Sequence, residues 1–328
     1  MSKSVYVTPK DHQPLGERDG GLVCADGRRF PFVPGVPGNA IPQFVEGQVI
    51  EGRQALYHDA QAVQIYDNYL EWLFATFAVD EAAIRTQMAA KLRLKPGNRA
   101  LVTGCGLGND LPFLAQFVGP TGELYAQDLS APMVIAAQQR TAAGNYKGAA
   151  VYPDRIHYSV SDACILPFAD GFFDAAFHFG GLNDFPDRRV ALAEMARVVR
   201  KGGRVAVGDE GVGPWLREID YGKMAMCNNK LWAMEPPLAL LPTNCADVNL
   251  TWILGNCFYL IDFEVADGLP FINPDVPHKG RRGGSMRTRY FGQLEGINPD
   301  LKAKAYEAAA KDGKSISDWL ESAIRKAL

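Results

Sequence analysis

Long apolar runs, charge of one dominant sign and paired cysteines are all missing from this 328-residue chain. No stretch approaches the roughly 20 apolar residues that cross a bilayer as a helix, which excludes a transmembrane helix. Lys and Arg number 34 against 37 Asp and Glu, leaving a net charge of −3. So small an imbalance gives no general pull toward nucleic acid or acidic lipid. The six cysteines (Cys24, Cys105, Cys164, Cys227, Cys245, Cys257) are scattered without a CxxC pair. That spacing excludes a clustered zinc site and predicts reduced thiols, no bound metal and a cytoplasmic protein. The opening MSKSVYVTPK has no apolar stretch after its lysine, so no secretory signal is expected.

What is present is the balance of a soluble folded chain, with 47% hydrophobic and 22% charged residues. The length suits one core domain with attachments. Residues 1–79 read as an irregular arm and a cap helix. The arm is rich in Gly and Pro and passes through FPFVPGVPG (Phe30–Gly38), which is extended or turning. In the cap helix, Tyr66, Tyr69, Leu70, Leu73, Phe74 and Phe77 recur on one face. A second amphipathic stretch, Ala82–Leu92, stops before Lys95-Pro96-Gly97.

From Asn98 onward, strands alternate with helices. Arg99–Thr103, Glu123–Gln127, Ile156–Val160, Phe173–Phe179 and Arg204–Gly208 read as strands; Leu111–Val118, Pro132–Thr141 and Arg188–Arg200 read as helices. This pattern predicts an α/β fold over residues 80–215, with a mainly parallel sheet covered on both faces. Residues 216–296 break the alternation with Pro236-Pro237 and an aromatic-rich strand around Trp252–Phe263, and are expected to cover the site. Residues 297–328 read as two helices joined at Asp312-Gly313, with Ser315 and Asp318 at capping-box spacing.

Gly104-Cys105-Gly106-Leu107-Gly108 follows a strand and precedes a helix. A turn without side chains lets a ligand approach the backbone, and the helix start offers free N–H groups. The pyrophosphate fingerprint asks for a third glycine where Asn109 stands, so a dinucleotide fits poorly. Asp128 ends the next strand, where an acid can take a ribose diol or cap the helix that follows. Ser161-Asp162-Ala163, after the third strand, offers an adenine edge or a plain loop acid.

Together these features resemble the class I S-adenosylmethionine-dependent methyltransferases, in the broad GCGxG, type 11-like group. The likeness is strongest over Asp162–Val207, in SDACILPFADGFFDAAFHFGGLNDF and ALAEMARVVRKGGRVAV. It implies a Rossmann-like fold and S-adenosylmethionine as cofactor. It assigns Gly104, Gly106 and Gly108 to the methionine end and Asp128 to the ribose, with Asn109 and Leu129 as further cofactor-binding candidates. Asp162 with Ala163 falls at the adenine. His178 and Phe179 follow the fourth strand on the reaction side. One position departs from the family: Val102 stands where an acid usually orders the loop, leaving Thr103 and Asn109 to compensate.

For the reaction itself, Asp209-Glu210 are paired acids just past the fifth strand, able to position or deprotonate an amine or hydroxyl, or to form a solvated pair. His178 is either a base or a satisfied core histidine. Asn183 either binds substrate or caps the next helix. Tyr57 and Tyr66 precede the core in the stretch that folds over the cofactor in this family; an aromatic face near a sulfonium adds a cation–π attraction. Trp215 completes the candidate substrate contacts.

The flanks carry two further likenesses. LVCADGRRFPFVPGVP (Leu22–Pro37) is similar to the small zinc-ribbon-like piece before some of these enzymes, with Cys24 alone left of the ligands. The tail resembles the helix pair of ribbon-helix-helix proteins such as HicB-type antitoxins, with Met286–Leu294 as the ribbon; dimerisation is the reading preferred over DNA contact. The expected activity is methyl transfer to a small metabolite. The alternatives are intramolecular cyclisation of the cofactor, in the manner of azetidine-2-carboxylate synthases, and a cofactor-sensing DNA-binding regulator.

Overall fold

The computed structural model describes residues 3–33, 35, 40–45, 61–280, 283–291 and 297–328. It divides into two compact units, Met1–Pro270 and Phe271–Leu328.

The first unit opens with five short strands: β1 (Lys3–Val7), β2 (Pro14–Arg18), β3 (Gly21–Cys24), β4 (Arg29–Val33) and β5 (Ile41–Pro42). They form an antiparallel sheet in sequence order, not the irregular arm expected. The cause is local. Asp19 (φ 50°) and Gly20 (φ 74°) make a two-residue turn with both residues left-handed, and Arg18 pairs with Gly21. Asp-Gly is the sequence that such a hairpin turn favours. Tyr6, Leu15, Leu22 and Cys24 are buried with Phe168 and Phe173 of the main core. Two turns of this sheet meet through Arg28, whose guanidinium donates to both Asp11 oxygens (2.9 and 2.6 Å) and to Asp26 (2.8 Å).

Helices α1 (Ala62–Phe77) and α2 (Glu81–Ala90) follow, the second capped by Asp80, which accepts from Ala83 N at 2.7 Å. The alternating core then runs β6 (Arg99–Thr103), α3 (Leu111–Val118), β7 (Glu123–Asp128) and α4 (Ala131–Thr141). After two short pairing segments, β8 (Asn145–Tyr146) and β9 (Ala149–Ala150), come β10 (Ile156–Val160), β11 (Phe173–Phe179), α5 (Arg188–Val198) and β12 (Val199–Glu210). α6 (Asp220–Asn228) precedes a hairpin, β13 (Cys245–Ile253) and β14 (Phe258–Val265). The expected single strand across Trp252–Phe263 is therefore two, turned at Leu254, Gly255 and Asn256, all with positive φ.

The seven-stranded sheet has the order β10-β7-β6-β11-β12-β14-β13. Its first five strands are parallel, and β14 and β13 are antiparallel, as the α/β reading requires for the core. Both faces are buried. Ala100 and Val102 pack on one side, with Leu114 of α3; Leu101 packs on the other, with Leu192 and Met195 of α5. Burying one such Leu or Phe contributes about 1.5–3 kcal/mol. Strand order reverses between β6 and β11, so a crevice opens there at the carboxyl ends, where open α/β sheets bind ligands.

The second unit contains α7 (Met286–Phe291), α8 (Pro299–Lys311) and α9 (Ile316–Ala327). The described part of the expected ribbon is thus a helix. Ser285 explains it: its hydroxyl accepts from Thr288 N (3.3 Å), its own N–H donates to Thr288 Oγ1 (2.8 Å), and its carbonyl accepts from Arg289 N. Ser315 caps α9, accepting from Asp318 N at 3.1 Å.

Candidate functional site

The turn after β6 is built on three left-handed glycines: Gly104 (φ 57°), Gly106 (φ 50°) and Gly108 (φ 75°). Two of them are also demanded by packing. A Cβ at Gly104 would lie 2.9 Å from His178 Cε1, and one at Gly108 would lie 3.0 Å from Leu111 Cδ1. At Gly106 the nearest atoms belong to the Tyr66 ring, 3.7 Å away, so α1 lies over this part of the turn.

Asp128 ends β7 and holds the turn. Its Oδ2 accepts from Gly106 N and its Oδ1 from Ser130 N, both at 2.9 Å. A carboxylate has about four acceptor positions, so it can serve several donors at once. Val102, in the place where an acid was anticipated, is buried in the apolar core. Thr103 and Asn109 do not take over that task. The Thr103 hydroxyl turns to Phe177 O and the His178 ring, while Asn109 Oδ1 accepts from the Tyr146 hydroxyl at 2.5 Å. The loop is ordered from the neighbouring strand, by Asp128 and by Gln127 O, which accepts from Cys105 N.

The next strand end adds Ser161, whose N–H donates to Asp128 O at 3.0 Å, and Asp162, whose Oδ1 accepts from Cys164 N at 2.8 Å. Ala163 is buried, whereas Leu129, Asp162 and Phe179 are half-buried. The crevice thus gathers Tyr66, the three glycines, Asn109, Asp128 and the 161–163 turn.

His178 is fully buried beneath Gly104. Its Nδ1 donates to Thr103 O at 2.8 Å, and burial lowers its pKa to about 4, so the ring is neutral at physiological pH. It supports the glycine turn from below.

Asp209 and Glu210 end β12. Asp209 is completely buried and accepts from Asn183 N (2.6 Å) and Glu210 N (2.7 Å). Burial, and then the neighbouring Glu210 charge, push its pKa up to about 8. Glu210 Oε1 accepts from the Tyr69 hydroxyl at 2.9 Å. Asn183 lies under this pair, its Nδ2 donating to Glu210 O at 2.9 Å. Trp215 is exposed and packs edge-on against Trp252 of β13 at 5.4 Å, joined to neither the acids nor the glycines. Tyr57 lies outside the described residues.

Sequence reasoning missed the ties that fix α1 and α2. Arg140 of α4 holds Asp67 of α1 through two bonds (2.9 and 2.6 Å) and also donates to Tyr146, whose hydroxyl continues to Asn109. Buried Arg85 of α2 binds Glu81 (2.8 Å) and Asp110 (2.5 Å) at the start of α3. Tyr69 was recognised only as part of an apolar face. Its spacing three residues after Tyr66 was the available signal, since both rings then project from one side of a helix.

The arrangement suits a nucleoside with a charged amino-acid tail. Asp128 offers acceptors for a diol. Asn109 Nδ2 is a buried donor with no partner among the described residues, matching a carboxylate. Gly106 leaves a cradle that a side chain would fill.

Comparison with known proteins agrees. Residues 101–207 match the model of a methyltransferase domain. The methyltransferase GfsG of Streptomyces halstedii is 32% identical over 123 residues, which cover 38% of this chain and 41% of that protein. The 2-phytyl-1,4-naphtoquinone methyltransferase of Trichormus variabilis is 33% identical over 147 residues, covering 44% and 59%. The chain therefore spans only part of the length of the curated relatives it matches. Among solved structures, phosphoethanolamine N-methyltransferase 2 of Haemonchus contortus, in complex with S-adenosyl-L-methionine, superposes with a TM-score of 0.53 at 15% identity. That match covers 77% of this chain and 71% of that one, and shows a shared fold. These relatives carry methyl transfer in their names, which leaves cofactor cyclisation without support. Residues 101–207 carry this chain's likeness to methyltransferases.

Proposed function

We propose that the whole chain transfers a methyl group from S-adenosylmethionine to a hydroxyl or amine of a small acceptor, with Glu210 and Tyr69 positioning the acceptor. One observation carries this reading: α1 places Tyr66 against Gly106 and, one turn later, Tyr69 on Glu210, so a single helix spans the cofactor turn and the acids. When bound, the cofactor supplies a methyl carbon already activated by a sulfonium.

The chain's own residues then bind and align. Asp128 takes the ribose hydroxyls while keeping Gly106 N and Ser130 N. Asp162 and Ala163 border the adenine. Gly104, Gly106 and Gly108 admit the methionine end, and Asn109 Nδ2 donates to its carboxylate. With its raised pKa, Asp209 keeps its proton to higher pH than an ordinary carboxyl, while Glu210 is the member of the pair that meets Tyr69. Glu210 accepts the acceptor's proton as general base, and alignment supplies most of the remaining rate enhancement. His178 is left a supporting role.

Titration calorimetry with S-adenosylhomocysteine tests the cofactor site. Saturable binding is expected, and Asp128→Ala weakens it roughly 30–100-fold, the loss of about 2–3 kcal/mol of charge-assisted hydrogen bonding. No heat with the wild-type chain sinks the proposal.

For the second unit we propose self-association through the α8–α9 pair. Ile316, Trp319, Leu320 and Ile324 share one face of α9, and none is fully buried. Light scattering on the full chain distinguishes monomer from dimer.

A further inference from the structure

Between α1 and the turn that follows α6 lies a cavity of about 660 Å³. From α1 it is lined by Asn68, Tyr69 and Trp72; across from them stand Asn228, Asn229 and Lys230. The volume falls within the roughly 300–1,000 Å³ of small-molecule sites. Its wall is also its link to the chemistry, because the Tyr69 hydroxyl that borders it donates to Glu210. Tyr66, against Gly106, is one helical turn back, a rise of about 5 Å.

The lining has a specific chemical character. Among the described residues, Lys230 is the one charged side chain that lines it, is exposed, and has no ion-pair partner. Among the described residues no carboxylate lines the cavity, so an anion entering it meets the positive charge of Lys230. Tyr69 and Trp72 present two rings, 5.9 Å apart and tilted by 31°. Trp72 stays 41% exposed although it is among the largest apolar side chains on α1. Exposed aromatic surface next to a concave, amide-rich wall suits a flat ligand held by its face and oriented by polar groups at its edge.

We infer that this cavity receives the methyl acceptor, and that the acceptor is a small aromatic acid bearing a hydroxyl group. Its ring lies against Trp72 and Tyr69, its carboxylate meets Lys230, and its hydroxyl points to Glu210. The inference rests on the methyl-transfer reading above. The hydroxyl gives its proton to Glu210 as its oxygen bonds to the methyl carbon. The electron pair of the broken carbon–sulfur bond stays on sulfur, and charge is conserved.

The test uses the full chain with S-adenosylhomocysteine present, and 4-hydroxybenzoate, its methyl ester and 4-hydroxybenzylamine as probes, read by tryptophan fluorescence and calorimetry. Saturable binding of 4-hydroxybenzoate is expected. Lys230→Glu weakens it roughly tenfold or more, strengthens binding of the amine, and leaves the ester and S-adenosylhomocysteine unaffected. Trp72→Ala weakens acid and ester alike. The inference is overturned if the wild type binds S-adenosylhomocysteine but not 4-hydroxybenzoate, or if Lys230→Glu leaves the acid's affinity unchanged. Failure to bind S-adenosylhomocysteine at all strikes instead at the methyl-transfer reading.

Discussion

Strand β12 carries buried charge at two places, and the two are arranged in opposite ways. Near its middle, Arg204 is 3% exposed and surrounded by opposite charge and acceptors. It binds Asp262, donates to Asp247 (2.7 Å), and donates to Lys91 O (3.1 Å). At its end, Asp209 and Glu210 sit side by side, and burial and then the Glu210 charge raise the pKa of Asp209. The matched cluster holds the strand to its antiparallel neighbour β14. The acid pair keeps a proton where an ordinary carboxyl would have lost it. Ion-paired charge in a core is architecture; a carboxyl held protonated beside a crevice is a candidate for chemistry.

Arg204→Met presses hardest on this contrast. It takes the guanidinium from buried Asp262, leaving Lys91 at 3.8 Å and Asn249 at 3.3 Å, and urea unfolding should register a loss of about 3 kcal/mol. A change below about 1 kcal/mol would erase the distinction between the two clusters.

Asp209→Asn probes the other end through pH. The folded-state pKa of Asp209 is raised from an ordinary 3.8 to about 8, so its contribution is fully present near pH 4 and is lost as pH rises through 8. The melting temperature of Asp209→Asn relative to wild type should therefore climb between pH 4 and pH 8 and level off above. A difference independent of pH would mean that Asp209 ionises normally.

The smallest effect belongs to Tyr146→Phe. Removing the hydroxyl frees Asn109 Oδ1 and cuts the tie to Arg140. Calorimetry should show S-adenosylhomocysteine affinity falling about 3–10-fold, the worth of one hydrogen bond, without loss of fold. Unchanged affinity would place this line of side chains outside cofactor binding.

Much of the sheet was legible because its signals are local. Each of the five parallel strands is a short apolar run bounded by Gly, Pro or Asp, and each intervening helix is periodic. The glycine turn and Asp128 were legible for the same reason, being attached to strand ends. Two hairpins were missed although their turn residues stood in plain view: Asp19-Gly20, within a segment judged by its Gly and Pro content, and Gly255-Asn256, within an aromatic run that read as continuous. The bond from Tyr69 to Glu210 lies beyond any local pattern, since 141 residues separate its ends. The same holds for the hold of Arg140 on Asp67 and for the burial of His178, which only the stacking of β6 against β11 determines.

That stacking has an evolutionary corollary. The ring of His178 fills the space where a methyl group at position 104 would go, while the left-handed backbone of Gly104 penalises any side chain independently. Shrinking the histidine removes the collision but not the backbone penalty. Lineages able to exchange this glycine would therefore have to replace the histidine first, and even then would carry a residual strain. The two positions are free to drift only in one order.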